Sequence, residues 1–238
     1  MRRVGLLGGM SWQSSLHYYR LLNEMVQQRV GGHASAPLVL WSADFAEIEA
    51  LQQAGDWTAA GEILATAAQG LQRCGVQAIA LATNTMHVVA DEISDRIDVG
   101  FIDLVDVVGK AVTDAGLRTV GLLGTGYLMA SDLYPARLGA LGVDVLLPEE
   151  PDRADVHRVI FDELVHGVLS AAARNTYLAI IDRLVSRGAE AVVLACTEIG
   201  LLLTDGDAAV PLLDSTLLHC AALSDFIVGG THDSGALA

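Results

Sequence analysis

The segment Val-Gly-Leu-Leu-Gly occurs twice in this chain, at Val4–Gly8 and again at Val120–Gly124. Each copy is a short apolar run that ends in glycine, which is typical of a buried strand followed by a tight turn. Apolar residues make up 52% of the 238 residues, so there is enough apolar material to cover both faces of such strands. The two copies predict two parallel sheets of similar construction.

Two further segments repeat in the same order. Gly75–Thr83 matches Gly188–Cys196, and Ile102–Leu104 matches Leu213–Ser215. The three matched pairs are all separated by between 111 and 116 residues. One glycine-ended strand is common in α/β proteins, but three matches in one order indicate an internal duplication.

Helical patterns alternate with strands in both halves. Helices are predicted at 14–28, 57–74, 133–141 and 177–187, and further strands at 38–41 and 143–147. This alternation favours parallel pairing with right-handed crossovers. We therefore predict the α/β class: two pseudo-symmetric, doubly wound, flavodoxin-like domains with the active site in the cleft between them.

Charge and cysteine content limit the possible partners. The net charge of −15 repels a phosphate backbone and an anionic membrane surface, which argues against nucleic-acid and membrane partners. Three cysteines without paired spacing favour reduced thiols and a soluble, cytoplasmic protein. The small, polar tail after Val228 is predicted to be mobile.

The candidate chemistry lies where the strands end, because open parallel sheets bind ligands beyond the carboxyl ends of their strands. Thr83 and Cys196 occupy the same position in the repeat. If the two halves face each other, a small substrate between them has one proton-transfer group on each side. A thiolate with a lowered pKa is the expected base at Cys196. Asn84, Thr85 and Thr197 are expected to donate hydrogen bonds to a substrate carboxylate that gains enolate character.

Other polar residues near the strand ends allow more than one interpretation. His87 either orients or protonates a neighbour, or only starts a helix. Glu198 either tunes Cys196 or caps the helix that follows. Asp103 and Asp214 are predicted to be helix N-caps or turn formers rather than catalysts.

The chain carries weak signals for cofactors and metals. Met129 stands where a G-x-G-x-x-G motif beginning at Gly124 would need glycine, and no P-loop lysine follows. The single lysine, Lys110, is not conspicuously placed for a pyridoxal Schiff base. The histidines lack metal-ligand spacing, so we predict neither a cofactor nor a metal.

Four segments carry a resemblance to a known family: Gly8–Trp12, Thr83–His87, Leu122–Thr125 and Cys196–Gly200. There the chain resembles the aspartate/glutamate racemase superfamily, and most closely its enterobacterial-type broad aspartate/glutamate racemase branch. The resemblance extends from Val4 to about Val228.

The resemblance implies a pyridoxal-independent two-base mechanism, a small amino-acid substrate and a homodimer. It also implies that the last segment returns to the first domain, which gives residues 1–100 plus 210–238 for the first domain and 101–209 for the second. By position, the catalytic residues are Cys196 and Thr83. The implied substrate-binding residues are Met10, Gln52, Asn84, Thr85, Thr125, Thr197 and Glu198.

Two departures from the family pattern bear on activity. Most members carry cysteine where this chain has Thr83, and a hydroxyl is a poor base, so we expect a preference for the L enantiomer as substrate. Position 126 is glycine instead of the arginine expected in the close branch. Arg137 and Arg158 are possible clamps for a side-chain carboxylate, which leaves aspartate, glutamate and neutral side chains open.

We therefore predict a cofactor-independent racemase of aspartate, glutamate or both. One alternative is another one-thiol activity of the superfamily, of the maleate isomerase, hydantoin racemase or arylmalonate decarboxylase type. The other is a non-catalytic amino-acid-binding protein.

Overall fold

The computed structural model describes residues 1–229, which form two compact units. The first unit comprises Met1–Ala82, Val89–Ile102 and the described residues from His219 onward. The second unit comprises Thr83–Val88 and Asp103–Leu218. Residues 230–238, which make up most of the tail predicted to be mobile, lie outside the described residues.

The first unit is built on a four-stranded parallel sheet with the strand order β2-β1-β3-β4. Its strands are β1 (Val4–Gly8), β2 (Leu38–Ser42), β3 (Ala78–Leu81) and β4 (Gly100–Phe101). Its helices are α1 (Trp12–Val30), α2 (Phe45–Ala54), α3 (Trp57–Arg73) and α4 (Ala90–Ser94). A 3₁₀ turn, Thr85–Val89, follows β3, and all of it except Val89 belongs to the second unit.

The second unit contains a sheet of the same design, with the strand order β6-β5-β7-β8. Its strands are β5 (Thr119–Gly124), β6 (Asp144–Leu146), β7 (Ala191–Ala195) and β8 (Leu212–Asp214). Its helices are α5 (Leu104–Asp114), α6 (Gly126–Met129), α7 (Leu133–Gly139), α8 (Asp152–Asp162), α9 (Ala171–Ser186) and α10 (Ile199–Leu202), with a 3₁₀ turn at Leu164–His166. The last helix, α11 (Ser215–Val228), begins here, and its residues from His219 on belong to the first unit.

The identical strand orders confirm the predicted α/β class and its duplication. In both sheets the strand with the Val-Gly-Leu-Leu-Gly sequence lies in the centre and pairs on both sides. The domain boundaries predicted at residues 100/101 and 209/210 stay a prediction, as does the cleft.

The second residue of the repeated segment is glycine for a packing reason. A Cβ added at Gly5 would lie 3.1 Å from Leu71 Cδ1 on α3, and one at Gly121 would lie 3.0 Å from Leu184 Cδ1 on α9. A larger residue would therefore push the helix away from the strand in either unit. The duplication thus preserves the same helix-to-strand contact twice.

Each unit has its own apolar core on the faces of its sheet. Leu6 and Leu22 are fully buried in the first unit, and Leu122 and Ile181 in the second. Burying one such side chain stabilises the fold by roughly 1.5–3 kcal/mol. The strands therefore read as continuous apolar runs because helices cover both sheet faces.

A buried histidine on the last helix makes hydrogen bonds to two other segments of the first unit. The Tyr18 hydroxyl lies 2.9 Å from His219 Nδ1, and His219 Nε2 lies 2.9 Å from the Ile102 carbonyl oxygen. The carbonyl can only accept, so Nε2 carries the proton and Nδ1 accepts from the tyrosine. His219 therefore has a structural role. None of the described helices combines the length and apolar character needed to cross a membrane.

Candidate active site

Seven of the nine predicted site residues belong to the second unit. They lie in the segments that follow β3, β5 and β7: Thr83, Asn84, Thr85, Thr125, Cys196, Thr197 and Glu198. The remaining two, Met10 and Gln52, belong to the first unit. Since Thr83–Val88 groups with Asp103–Leu218, the two predicted proton-transfer residues are held by the same compact unit.

Cys196 directly follows β7 and is almost buried, with 8% of its surface exposed. Its Sγ lies 3.2 Å from Glu198 Oε2 and donates a hydrogen bond to that carboxylate. The Glu198 side chain makes no capping hydrogen bond to the N-terminus of α10. Of the two interpretations of Glu198, the structure therefore places its carboxylate beside the thiol.

The pKa of Cys196 is raised well above its usual value. Burial is the largest cause, followed by the negative charge of Glu198 and the hydrogen bond that the thiol donates to it; the N–H groups of Glu198 and Ile199 act in the opposite direction. The expectation of a lowered pKa was wrong, because burial and a neighbouring carboxylate both disfavour a second negative charge. The resting form is a thiol with a proton acceptor already in contact.

Thr83 begins the loop after β3, and His87 holds its main chain. His87 Nδ1 lies 2.7 Å from the Thr83 carbonyl oxygen, and Leu104 N donates to His87 Nε2 at 3.1 Å. Burial of the ring lowers the pKa of His87, although the charge of Asp103 acts to raise it. His87 thus contacts the main chain of both Thr83 and Leu104, and the roles that the sequence left open for it stay predictions.

Asn84 belongs to a chain of buried hydrogen bonds. Tyr134 Oη donates to Asn84 Oδ1 at 2.6 Å, and Asn84 Nδ2 donates to Ser215 Oγ at 3.0 Å. Ser215 Oγ in turn donates to the carbonyl oxygen of Leu194, two residues before Cys196, at 2.7 Å. This series of hydrogen bonds connects the loop that carries Thr83 to β7, the strand that Cys196 directly follows.

Two threonine hydroxyls of the second unit contact each other. Thr85 Oγ1 lies 2.9 Å from Thr125 Oγ1, and Thr125 Oγ1 also accepts from Leu128 N at 3.1 Å to cap α6. Because Thr125 already accepts from the backbone, its own proton can be donated to Thr85 or to a substrate oxygen. Thr197, next to Cys196, is also buried.

Asp103 and Asp214 cap helices, as predicted. Asp103 Oδ1 accepts from the N–H groups of Val105 and Asp106, and Asp214 Oδ1 accepts from those of Thr216 and Leu217. Both carboxylates satisfy N–H groups that have no partner within the helix.

In the first unit, Met10 and Gln52 are both buried. Met10 follows the turn after β1, where Gly9 N donates to Ser15 Oγ at 2.7 Å. At Gly9, φ is +87°, and a Cβ would lie 2.3 Å from the nitrogen of Ala43, so glycine is required there. The Gly9 N–H already has a partner in Ser15, so a substrate anion would have to compete with that hydroxyl for it.

Neither of the arginines considered as clamps is unpaired. Arg137 Nη2 lies 3.0 Å from Asp103 Oδ2 and 2.7 Å from Asp106 Oδ1. Arg158 contacts Asp155 and Glu163 at 3.6 and 3.7 Å. A substrate carboxylate would have to compete with these acidic side chains for either guanidinium.

Sequence reasoning missed Tyr134 and Ser215. Ser215 directly follows β8, so the rule that sites lie at strand ends was sufficient to propose it. Tyr134 lies on α7, 50 residues from Asn84, and no local pattern marks that contact. Within residues 1–229, no three His, Cys, Asp or Glu side chains come together as a potential metal site.

Comparisons with known proteins agree on one family. The profile of the Asp/Glu/Hydantoin racemase family matches residues 7–223. A Yersinia pestis structure described as a candidate Asp/Glu racemase is 39% identical, with a TM-score of 0.89, over 96% of this chain and 100% of that one. An aspartate racemase homologue from Pyrococcus horikoshii is 31% identical, with a TM-score of 0.84, over the same shares.

A curated relative adds a more distant comparison. The broad specificity amino-acid racemase RacX of Bacillus subtilis is 24% identical over 153 residues, which is 61% of this chain and 63% of RacX. The matched region thus spans less than two thirds of that relative. These proteins are described as racemases or racemase homologues, which is the enzyme class that the sequence predicts. The predicted family is confirmed.

Proposed function

Because the chain belongs to the Asp/Glu/Hydantoin racemase family, we propose that it is a cofactor-independent amino-acid racemase with aspartate, glutamate or both as substrate. The observation that carries the proposal is the Cys196 thiol in hydrogen-bond contact with Glu198. The thiol lies at the carboxyl end of a central parallel strand, where such sheets bind ligands.

The proposed reaction begins with transfer of the Cys196 proton to Glu198. The resulting thiolate removes the α-proton of the substrate, and the electrons of the broken C–H bond pass into the carboxylate to give an enediolate. Hydroxyl donors such as Thr85 and Thr125 stabilise that developing negative charge. A proton delivered to the opposite face, from Thr83 or from a water molecule, gives the other enantiomer. The alkoxide or hydroxide left behind is reprotonated from solvent, and Glu198 returns its proton to solvent, which restores the resting state.

The two faces of this reaction are not equivalent. Cys196 is a usable base once Glu198 has accepted its proton, whereas a threonine hydroxyl at Thr83 is a poor base at neutral pH. Abstraction therefore starts readily only from the enantiomer that presents its α-proton to Cys196. We propose that this enantiomer is the L form, as the family resemblance implies.

A broad side-chain specificity is the second candidate. The ion pairs of Arg137 and Arg158 favour it, because neither guanidinium is held ready for a substrate carboxylate. RacX of Bacillus subtilis, to which this chain is similar, is described as a broad specificity amino-acid racemase. A panel of acidic and neutral L-amino acids separates the two candidates: acidic substrates alone support the first, and comparable rates for neutral ones support the second.

Assembly and location complete the proposal. We expect a homodimer and a cytoplasmic location, and light scattering of the purified chain tests the first.

The test of function is proton NMR in D2O without pyridoxal phosphate. Wild-type protein is expected to remove the α-proton signal of L-aspartate or L-glutamate, and chiral analysis of the same sample is expected to find the D form. Cys196→Ser should lower both rates by about 1,000-fold, since a positioned acid–base group contributes ~10²–10⁴. Cys74→Ser, which alters an exposed cysteine, is the control. Silence of the wild type with both amino acids would reject this substrate assignment.

A further inference from the structure

The imidazole of His87 is an almost completely enclosed titratable group beside the proposed site. Only 2% of His87 is exposed, and its two ring nitrogens bond to two different segments of the second unit. Nδ1 meets the carbonyl oxygen of Thr83, four residues earlier, and Nε2 meets the backbone nitrogen of Leu104 at the first turn of α5.

The two partners determine the position of the ring proton. A carbonyl oxygen can only accept, so Nδ1 must carry the proton that it shares with Thr83. A backbone N–H can only donate, so Nε2 must be unprotonated to accept from Leu104. The neutral Nδ1–H tautomer is the one form that satisfies both bonds.

The surroundings of His87 also oppose a second proton on the ring. Protonation of Nε2 would break the bond from Leu104 and place a positive charge at the N-terminus of α5, where the helix dipole is also positive. The charged groups that face the ring are Asp103, which favours protonation, and Arg137, which disfavours it. Arg137 is paired with Asp103 and so offsets part of its effect.

The two hydrogen bonds of the His87 ring, which we call the imidazole clamp, have no counterpart in the equivalent loop after β7. Gly200 occupies the repeat position of His87, and a Cβ added there would lie 2.1 Å from Asp214 Oδ2. Any side chain at position 200 would therefore collide with the cap of α11. The imidazole clamp belongs to the Thr83 loop alone, where the reacting group is the weaker of the two.

We propose that His87 is a positioning residue that, as a neutral Nδ1–H imidazole, holds the Thr83 carbonyl and thereby aims the Thr83 hydroxyl at the substrate for proton return. This inference rests on the proposed racemase function. His87 itself exchanges no proton with the substrate. Its loss should harm the Thr83 face of the reaction and leave abstraction at Cys196 nearly intact.

The test compares two variants, each of which keeps one of the two bonds. The amide of His87→Asn can still donate near the Nδ1 position, whereas His87→Gln can accept from Leu104 but not reach Thr83 in the same way. His166→Gln, which changes an exposed histidine of the same unit, is the control.

Two rates are measured with the L substrate in D2O: loss of the α-proton and formation of the D enantiomer. We expect His87→Gln to lower inversion by about 100-fold, the size of effect that a small misplacement of a reacting group produces, with exchange within about two-fold of wild type. His87→Asn should recover most of the inversion rate. The shape of the pH profile of kcat/KM should be the same in all three proteins.

Several outcomes would overturn the inference. An equal loss of exchange and inversion would mean that His87 only supports the fold. Loss of one limb of the pH profile in both variants would mean that His87 transfers a proton.

Nitrogen-15 NMR of the wild-type imidazole tests the clamp even where the variants fold poorly. We expect an Nδ1–H tautomer whose shifts do not change between mildly acidic and mildly basic pH. An Nε2–H or doubly protonated ring would overturn the inference. If wild-type protein exchanges no amino acid, the proposed function fails, whereas the tautomer still decides whether the clamp exists.

Discussion

The loops after β3 and β7 occupy the same place in the two sheets but carry different chemistry. Thr83 and His87 in the first loop correspond to Cys196 and Gly200 in the second. In the first loop the His87 imidazole bonds to the carbonyl oxygen of Thr83, whose hydroxyl is a weak acid. In the second loop the Glu198 carboxylate accepts a hydrogen bond from the Cys196 thiol. The duplicated scaffold therefore holds the two predicted proton-transfer residues at equivalent positions but surrounds them with different side chains.

The aspartates near the ends of β4 and β8, Asp103 and Asp214, also differ in their electrostatic surroundings. Asp103 and Asp214 both cap helices. Burial acts to raise the pKa of Asp103, but the neighbouring His87 and Arg137 side chains and the N–H groups of the helix together lower it. Burial raises the pKa of Asp214. Because Arg137 pairs with Asp103 and not with Asp214, one cap is supported by a positive charge and the other is not.

The largest effect should come from removing the Glu198 carboxylate, which accepts the hydrogen bond of the thiol in the loop after β7. Glu198→Gln is expected to lower racemisation by about 100-fold, because the thiol loses its base. It should also lower the pKa of Cys196, since a negative charge beside the thiol disappears. In wild type the raised pKa means that the thiolate fraction, and with it the iodoacetamide alkylation rate, climbs with pH through neutrality and levels off only above that pKa.

The alkylation curve of Glu198→Gln should lie at lower pH than that of wild type. Glu149→Gln, at an exposed carboxylate, should match wild type. A fully active Glu198→Gln protein would show that Cys196 loses its proton by another route.

Making the two loops chemically alike should have the next largest effect. Thr83→Cys supplies a thiol on the poorer face and is expected to raise the rate from the D enantiomer by about ten-fold or more, within the range of a positioned acid–base group. Separate initial rates from the D and L forms measure it. No gain from the D form would mean that positions 83 and 196 do not act as a pair.

Two buried tyrosines of the second unit bond to different segments and can be compared in stability and in activity. Tyr134 donates to Asn84 in the chain between the loops, whereas Tyr177 donates to the carbonyl oxygen of Val156. Either Tyr→Phe change leaves a buried acceptor without its donor and should cost about 1–3 kcal/mol in urea unfolding.

Tyr134→Phe should slow inversion more than Tyr177→Phe does, because Tyr134 bonds to the loop that carries Thr83, whereas Tyr177 lies near Cys196 and Glu198 and can affect only their side of the reaction. Equal activity of the two variants would remove the Tyr134–Asn84–Ser215 chain from any account of catalysis.

The smallest effects should be those on the free energy of unfolding when the two N-cap aspartates, Asp103 and Asp214, are replaced. At neutral pH, Asp103→Asn should cost about 0.5–1 kcal/mol, because the charge that pairs with a partly exposed Arg137 is lost. A lowered folded pKa gives stability above the unfolded value that is lost as pH falls, so this cost should disappear in acid.

Asp214→Asn should be neutral or slightly stabilising at neutral pH, because its raised pKa means that ionisation opposes folding there. Unfolding curves at neutral and acid pH test both caps. A larger cost for Asp214→Asn than for Asp103→Asn would contradict the assignment.

Much of the fold could be predicted because its signals are local. The predicted strand at residues 38–41 is observed as Leu38–Ser42, and the helix predicted at 57–74 is observed as Trp57–Arg73. Helix α2 (Phe45–Ala54) was missed, although Asp44 at its N-cap, Glu47 three residues later and Gly55 after its end are the usual boundary signals. A short helix with a mixed surface gives a weaker apolar period than the long ones.

The sequence by itself determined the duplicated parallel architecture and the equivalent positions of Thr83 and Cys196, because strand periodicity, glycine turns and repeated segments are properties of neighbouring residues. Only the tertiary structure decided the raised pKa of Cys196 and the hydrogen-bond partners of His87 and Asn84. Those depend on burial and on contacts between distant residues, such as the 131 positions between Asn84 and Ser215. Burial changes the free energy of a charge or an unpaired polar atom by kilocalories, and no local pattern reports which distant side chain will enclose it.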